Sequence, residues 1–441
     1  MSRSRLLVLG LLLALAPDGW AQDPVVRVRL FGGPLAAPEL TAEDGDAWIA
    51  DAEGQRVPLA TGEDATVRAA GRELTVMGRR SSRFEVEGVV LRVQQGRTDR
   101  AYRGRLVLTA ESGKVQLVNH VPLPDYVASV VASEYPFDEI EGVKAQAVLA
   151  RTYALRRQGA FADYDLDDHQ GSQVYKGVDV VTAVSERATR ETTGLVLDYR
   201  GELAEAFYSS SSGGFTAANE SIWSGAPLPY LRAVPDPYDS GAPDHRWTQT
   251  VAADAVHRAL SARYGGRVTG FEVTRRGPSG RVVEMALQGG ARRTITGSQF
   301  RSAVNASLGW RTIRSTQFTS RRVGADYVLD GQGFGHGVGM SQYGARGAAR
   351  AGLTFEQILA HYFQGTSVVA FGRPAYAGAP VPRAPTGAPS ASGSVPGGAA
   401  PAPTATVPRY VPPTARTRPT PRHVARAQEA EAGTPPRRKA W

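Results

Sequence analysis

Cysteine is absent from all 441 residues. That excludes disulfide staples, anchoring through a lipid-modified cysteine, a thiol nucleophile and any thiolate metal site, while the length still supplies a self-sufficient core. Long apolar runs are equally scarce. The run from Leu6 to Ala16 is too short to span a bilayer, and no later stretch approaches the roughly 20 apolar residues a spanning helix needs. It follows Met1-Ser2-Arg3-Ser4-Arg5 and precedes Gly19-Trp20-Ala21, with small residues where a signal peptidase reads. Residues 1–21 are therefore expected to be an export signal whose removal leaves nothing to hold the protein in a membrane. Two catalytic signatures are also missing. No Gly-Lys-Ser/Thr closes a glycine-rich run, and no Gly-x-Ser-x-Gly elbow is present, which argues against a phosphate loop and a serine hydrolase.

Charge and proline are distributed unevenly. From residue 374 onward the chain carries 15 of its 29 prolines, and nine Lys/Arg against two Glu, a balance of +7 out of a formal +9. Residues 371–441 are expected to be a disordered, Pro-rich basic tail, either a solvated spacer or a means of electrostatic retention on an anionic cell envelope. The rest of the chain is then close to neutral. With the positive charge in a tail that lacks interleaved aromatic platforms, a nucleic-acid partner is not expected.

Residues 22–115 read as a β-rich segment of short alternating runs, such as Val25–Leu30, Phe84–Val86, Val89–Val93 and Leu106–Leu108. The character changes after it. Ile140, Val143, Ala147, Ala150 and Ala154 share one helical face beyond Pro136, and Thr354-Phe355-Glu356-Gln357 reads as a capping box opening a helix with Phe355, Ile358, Leu359 and Tyr362 inward. Mixed strands and loops lie between, so the fold class is expected to be α+β.

Polar chemistry concentrates in two places. Gly331-Gln332-Gly333-Phe334-Gly335-His336-Gly337-Val338-Gly339-Met340-Ser341-Gln342-Tyr343-Gly344 sets an imidazole, an amide and a phenol among six glycines, which suits a binding surface for a flexible polymer or, alternatively, a tight loop around a core histidine. The second is Ser133-Glu134-Tyr135-Pro136. A carboxyl at the end of an apolar run, held by a proline, sits where partial desolvation favours the protonated form and general-acid work; a salt bridge to Lys144 or Arg151 is the structural alternative. Asp163, Asp165, Asp167 and Asp168 only faintly follow a calcium loop, since Asp168 occupies the glycine position and Val174 the glutamate position.

These segments together resemble the SpoIID/LytB group of sporulation cell-wall lytic proteins and amidase enhancers. The resemblance rests on Leu123-Pro124-Asp125-Tyr126 through Pro136, the helix Val143–Ala154, the run Ala206–Gly214, the run Trp223–Leu231, and the Gly-rich loop through His361-Tyr362-Phe363. It covers roughly residues 115–370, so residues 116–370 are expected to form the peptidoglycan-directed domain.

The resemblance implies a lytic transglycosylase acting on peptidoglycan glycan strands, with Glu134 as catalytic acid/base at the family's Glu-Met-Pro position. Tyr135 replaces the methionine, which alters the expected wall beside the carboxyl. Lys144, Arg151, Tyr208, Ser209, His336, Gln342 and Tyr343 are the candidates for binding glycan; Lys144 and Arg151, seven apart on one helix face, could equally be solvated. Some members carry a zinc-binding His/Cys pattern before Gln-Val-Tyr. Here Ser172 stands at the cysteine position ahead of Gln173-Val174-Tyr175, so no zinc and no other cofactor is expected. The family's other branch implies the alternative of a non-catalytic wall-binding factor with a cell-wall amidase as partner.

Overall fold

A computed structural model describes residues 24–223, 225–290 and 293–371. The expected export signal, and the tail beyond Phe371, lie outside them. The alternation read in the N-terminal segment is realised as pleated strands: in Val25–Arg29, Val26 and Val28 are buried while Arg27 and Arg29 turn outward to pair with Asp165 and Asp167. That strand joins a seven-stranded sheet ordered Leu166–Asp167, Val25–Arg29, Lys114–Pro122, Arg105–Glu111, Arg83–Glu87, Ala47–Asp51, Arg56–Leu59. A four-stranded sheet, Thr98–Tyr102, Leu91–Gln95, Glu39–Ala42 and Asp64–Thr66, accompanies it.

The strand Lys114–Pro122 crosses residue 115 and runs without a loop into helix α1, Leu123–Glu134. Pro124 in the first turn costs the helix no bond, because the first amides of a helix have no partner within it. Helix α2, Ile140–Arg156, buries Val143, Ala147, Ala150 and Ala154 as its periodicity predicts, and α3, Ala183–Glu191, is opened by a Thr182–Ser185 capping box. The three helices pack against each other and share one hydrophobic core with the N-terminal strands.

Residues 247–331 build a separate cluster around Trp247, Val256, Leu260, Met285, Phe300 and Leu329. It comprises one three-stranded sheet (Trp247–Ala252, Asp326–Gly331, Phe318–Val323), a second (Val268–Arg276, Val282–Gly289, Arg293–Thr296), and helices α4, Ala253–Tyr264, and α5, Gly297–Leu308. The chain then returns through the Gly-rich loop to helices α6, Gln342–Arg350, and α7, Phe355–Tyr362. The capping box at Thr354 and Gln357 is present, and Phe355, Ile358, Leu359 and Tyr362 are buried. Helices and sheets mixed in this way make the α+β class expected from the sequence.

Candidate functional site

Glu134 closes α1, and the chain folds so that three distant segments meet there. Its Oε1 accepts a hydrogen bond from the Val174 amide at 2.8 Å, and its main-chain carbonyl accepts one from Gln342 Nε2 at 2.8 Å. Gln173, fully buried beside Val174, links two phenols: Tyr126 Oη donates to its Oε1 and its Nε2 donates to Tyr208 Oη, both at 3.0 Å. Burial pushes both phenols well above their ordinary range, and the Glu134 carboxylate adds to the shift in each. They are therefore neutral hydrogen-bonding groups held next to the carboxyl. Tyr135 does not line this site; its buried ring packs edge-on against Phe137 at 4.9 Å, and its hydroxyl abuts Gly142 of α2.

Lys144 and Arg151 are spent on helix packing. Lys144 Nζ pairs with Glu141 at 2.9 Å and with Glu191 at 2.8 Å, and these carboxylates, Glu191 foremost, raise its pKa. Arg151 is buried and bridges α3 to the strand that follows it, donating to the Thr189 carbonyl in the last turn of α3 at 3.3 Å and to the carbonyl of Leu195, the first residue of the strand Leu195–Tyr199, at 3.0 Å. A guanidinium at a helix C-terminus satisfies carbonyls that have no partner inside the helix and complements the helix dipole.

The Gly-rich loop is woven into the serine run. Tyr208–Ser209 pairs in parallel with Met340–Ser341, Ser209 Oγ accepts from the Gly337 amide at 3.2 Å, and Tyr343 donates its amide to the Ser210 carbonyl at 3.1 Å. The glycines serve this close weave. Gly337 and Gly339 hold φ of 77° and 73°, and a Cβ there would strike the Arg281 guanidinium and the Phe207 carbonyl respectively. His336 Nδ1 accepts from the Val338 amide at 3.0 Å, which places the proton on Nε2. Burial, then Arg281 and Arg301, depress its pKa to about 3, so it is a neutral imidazole, packed 5.0 Å from Trp223. Tyr343 rests on Phe137 at 4.9 Å.

Behind the loop lies a buried acidic knot that the sequence reading missed. Asp239 accepts from Ser211 Oγ and Ser341 Oγ at 2.7 Å each, from the amides of Ser212 and Gly213 at 3.0 Å, and contacts His245 Nδ1 at 3.0 Å. Asp236 accepts from Ser212 Oγ at 2.8 Å and Tyr362 Oη at 3.0 Å; burial and then Asp239 push its carboxyl up to about 6. The serines are thus ligands of two structural carboxylates. In Ser211–Asp239–His245 the carboxylate, not the imidazole, receives the serine proton, which is the wrong order for a nucleophilic serine. Among the described residues no group of three or more His, Asp or Glu side chains is placed to hold a metal ion. Ser172 instead accepts from the Asp167 amide at 3.1 Å.

A family model described as Stage II sporulation protein matches residues 111–199, which contain Glu134, Lys144, Arg151 and Gln173. A second, described as a domain of unknown function, matches residues 238–339 and so takes in the separate cluster. Stage II sporulation protein D of Bacillus amyloliquefaciens is 33% identical over 273 residues, covering 57% of this chain and 75% of that protein. The protein of the same name in Bacillus subtilis (strain 168) is 32% identical over 271 residues, 57% of this chain and 76% of that one. The amidase enhancer of Bacillus subtilis (strain 168) is 30% identical over 291 residues, 55% of this chain and 40% of its own length.

Proposed function

The chain belongs to the stage II sporulation protein D family, and from that premise we propose that it is an exported lytic transglycosylase that cleaves the glycan strands of peptidoglycan in cell-wall remodelling. The observation that carries the proposal is the fixing of Glu134 by the Val174 amide and by Gln342, beside the Gln173–Tyr208 pair. A lytic transglycosylase needs a single carboxyl. Glu134 protonates the leaving glycosidic oxygen; the same carboxylate then takes the proton of the sugar's own 6-hydroxyl as that oxygen bonds the anomeric carbon, leaving a 1,6-anhydro end and consuming no water. Hydrolysis with water would require a second carboxyl as base or nucleophile.

In this reading Tyr208 and Tyr343 contact the glycan in a groove along the Gly-rich loop. Ser209 and His336 hold the shape of the loop, Gln342 ties it to α1, and Lys144 and Arg151 fix the frame of α2 and α3. No cofactor takes part. Export is in keeping with the leader-like residues 1–21, and among the described residues no helix is long and apolar enough to cross a membrane.

A second reading, a wall-binding factor that stimulates a peptidoglycan amidase, is favoured by the 30% identity to the amidase enhancer. Mass spectrometry of purified glycan strands incubated with the protein separates the two. New 1,6-anhydromuramic ends support the transglycosylase; only reducing ends would make water the nucleophile; uncleaved glycan together with a stimulated amidase would favour the second reading.

A further inference from the structure

The near-neutrality of the folded part conceals a charge separation. Residues 238–339 contain 14 arginines, no lysine and seven Asp/Glu, a balance of +7. Together with the +7 of residues 374–441 this exceeds the formal +9 of the whole chain by five, so the remaining residues carry −5. The high isoelectric point therefore does not belong to the tail alone. Exclusive use of arginine matters, because a guanidinium presents a rigid planar fork that matches a carboxylate or phosphate in two parallel bonds, whereas an ammonium is a point charge.

Two of these arginines, Arg246 and Arg276, line an open groove of about 710 Å³ on the sheet of Trp247–Ala252, Asp326–Gly331 and Phe318–Val323. Arg246, exposed, lies on its wall with Arg276. The Arg276 fork is already aimed: Nη1 donates to the Gly280 carbonyl at 2.7 Å and Nη2 to the Phe318 carbonyl at 2.9 Å, which fixes the plane and leaves three of its five N–H groups uncommitted by these bonds. Gln317 donates to Gln332 Oε1 at 2.8 Å, while its own Oε1 is buried with no hydrogen-bond partner among the described residues. That acceptor calls for an N–H or O–H donor, which a sugar hydroxyl next to the acidic group supplies and a carboxylate does not. Asp330 also lines the groove, which disfavours a densely charged polyanion.

Gln332 lines this groove and also belongs to the Gly-rich loop, four residues before His336 and so at most about 14 Å from it along the chain. We propose that the Arg246–Arg276 groove is a carboxylate-binding subsite that grips an acidic group of the wall strand while the Gly-rich loop holds its sugars. The inference rests on the glycan-cleaving reading above. Two parts of the same polymer supply such a carboxylate: the lactyl group of muramic acid once its peptide is removed, and the peptide branch itself.

The test is a binding titration with the full chain carrying Glu134→Gln, so that no turnover intervenes. The probes are peptide-free muramyl oligosaccharides, the free stem peptide, each of these with its carboxyls converted to amides, and a glycerol-phosphate polymer. Whichever carboxylate is recognised, amidation of that ligand should weaken binding at least about tenfold. Arg246→Glu should weaken the unmodified ligand by a similar factor and leave the amidated one unchanged, and Arg246→Lys should recover part of the loss. The pair of probes tells lactyl from peptide carboxylate. Equal binding of acid and amide, indifference to Arg246→Glu, or tighter binding of the phosphate polymer would each overturn the assignment. Failure of the cleavage reading would appear in the product analysis and leave these affinities as they are.

Discussion

Gln342 Nε2 donates to the carbonyl of Glu134 at 2.8 Å, joining residues 208 positions apart and tying the first turn of α6 to the last turn of α1. The carboxyl thus inherits its position from the far end of the Gly-rich loop. Gln342→Ala should remove about 1 kcal/mol of stability, the usual worth of one such bond, and reduce turnover of glycan by more than it changes binding. Paired denaturant melts and initial-rate measurements check this; a variant with reduced stability and unaltered turnover would show that the link is merely structural.

Arg151 offers a sharper contrast between frame and site. It is 3% exposed and serves one carbonyl in the last turn of α3 and one at the start of the strand Leu195–Tyr199. Arg151→Met should cost about 3 kcal/mol, because buried acceptors lose a charged donor, and should leave the glycan affinity of the folded protein unchanged. A variant with parental thermal stability and lost glycan binding would instead make Arg151 a substrate contact.

The local features were readable before the fold. The α2 face and the Thr354–Gln357 capping box depend on spacings of three and four residues, and both are present. What escaped reading was long-range. Nothing in Pro235-Asp236-Pro237-Tyr238-Asp239 announces that Ser212, Ser341 and Tyr362 will be gathered on its carboxylates, and Arg281, directly after the turn Gly277-Pro278-Ser279-Gly280, is fully buried with Nη2 on the Ser212 carbonyl at 2.8 Å. The glycines around His336 suit either a binding surface or a tight loop around a histidine, and two of them make room for Arg281 and Phe207. In the sequence Gln173-Val174-Tyr175 marks only the place of a missing metal ligand; the fold makes Val174 the amide donor to Glu134. The basic stretch was visible in composition, but the net charge of the whole chain hid it.

Two groups with displaced pKa values should make stability depend on pH with opposite signs. His336, held at about 3 against an ordinary 6.5, stays neutral when folded while the unfolded chain takes up a proton, so its contribution is full above pH 6.5 and is lost as pH falls toward 3. Asp236, held at about 6 against 3.8, is protonated in the fold before the unfolded chain is, so its contribution is full below pH 3.8 and is lost as pH rises through 6. Relative to the parent, Asp236→Asn should therefore be more favourable at pH 8 than at pH 4.5. Urea melts at the two pH values check this, and an equal difference at both would mean that Asp236 titrates normally.

Glu134 is the proposed single transferable-proton group, so the most direct measurement is the rate at which Glu134→Gln generates 1,6-anhydromuramic ends from purified glycan. The amide keeps the shape and can still accept from the Val174 N–H but has no proton to give. The predicted result is a loss of at least roughly 10²-fold in turnover with glycan binding and thermal stability near those of the parent. Parental turnover by Glu134→Gln would contradict the catalytic assignment.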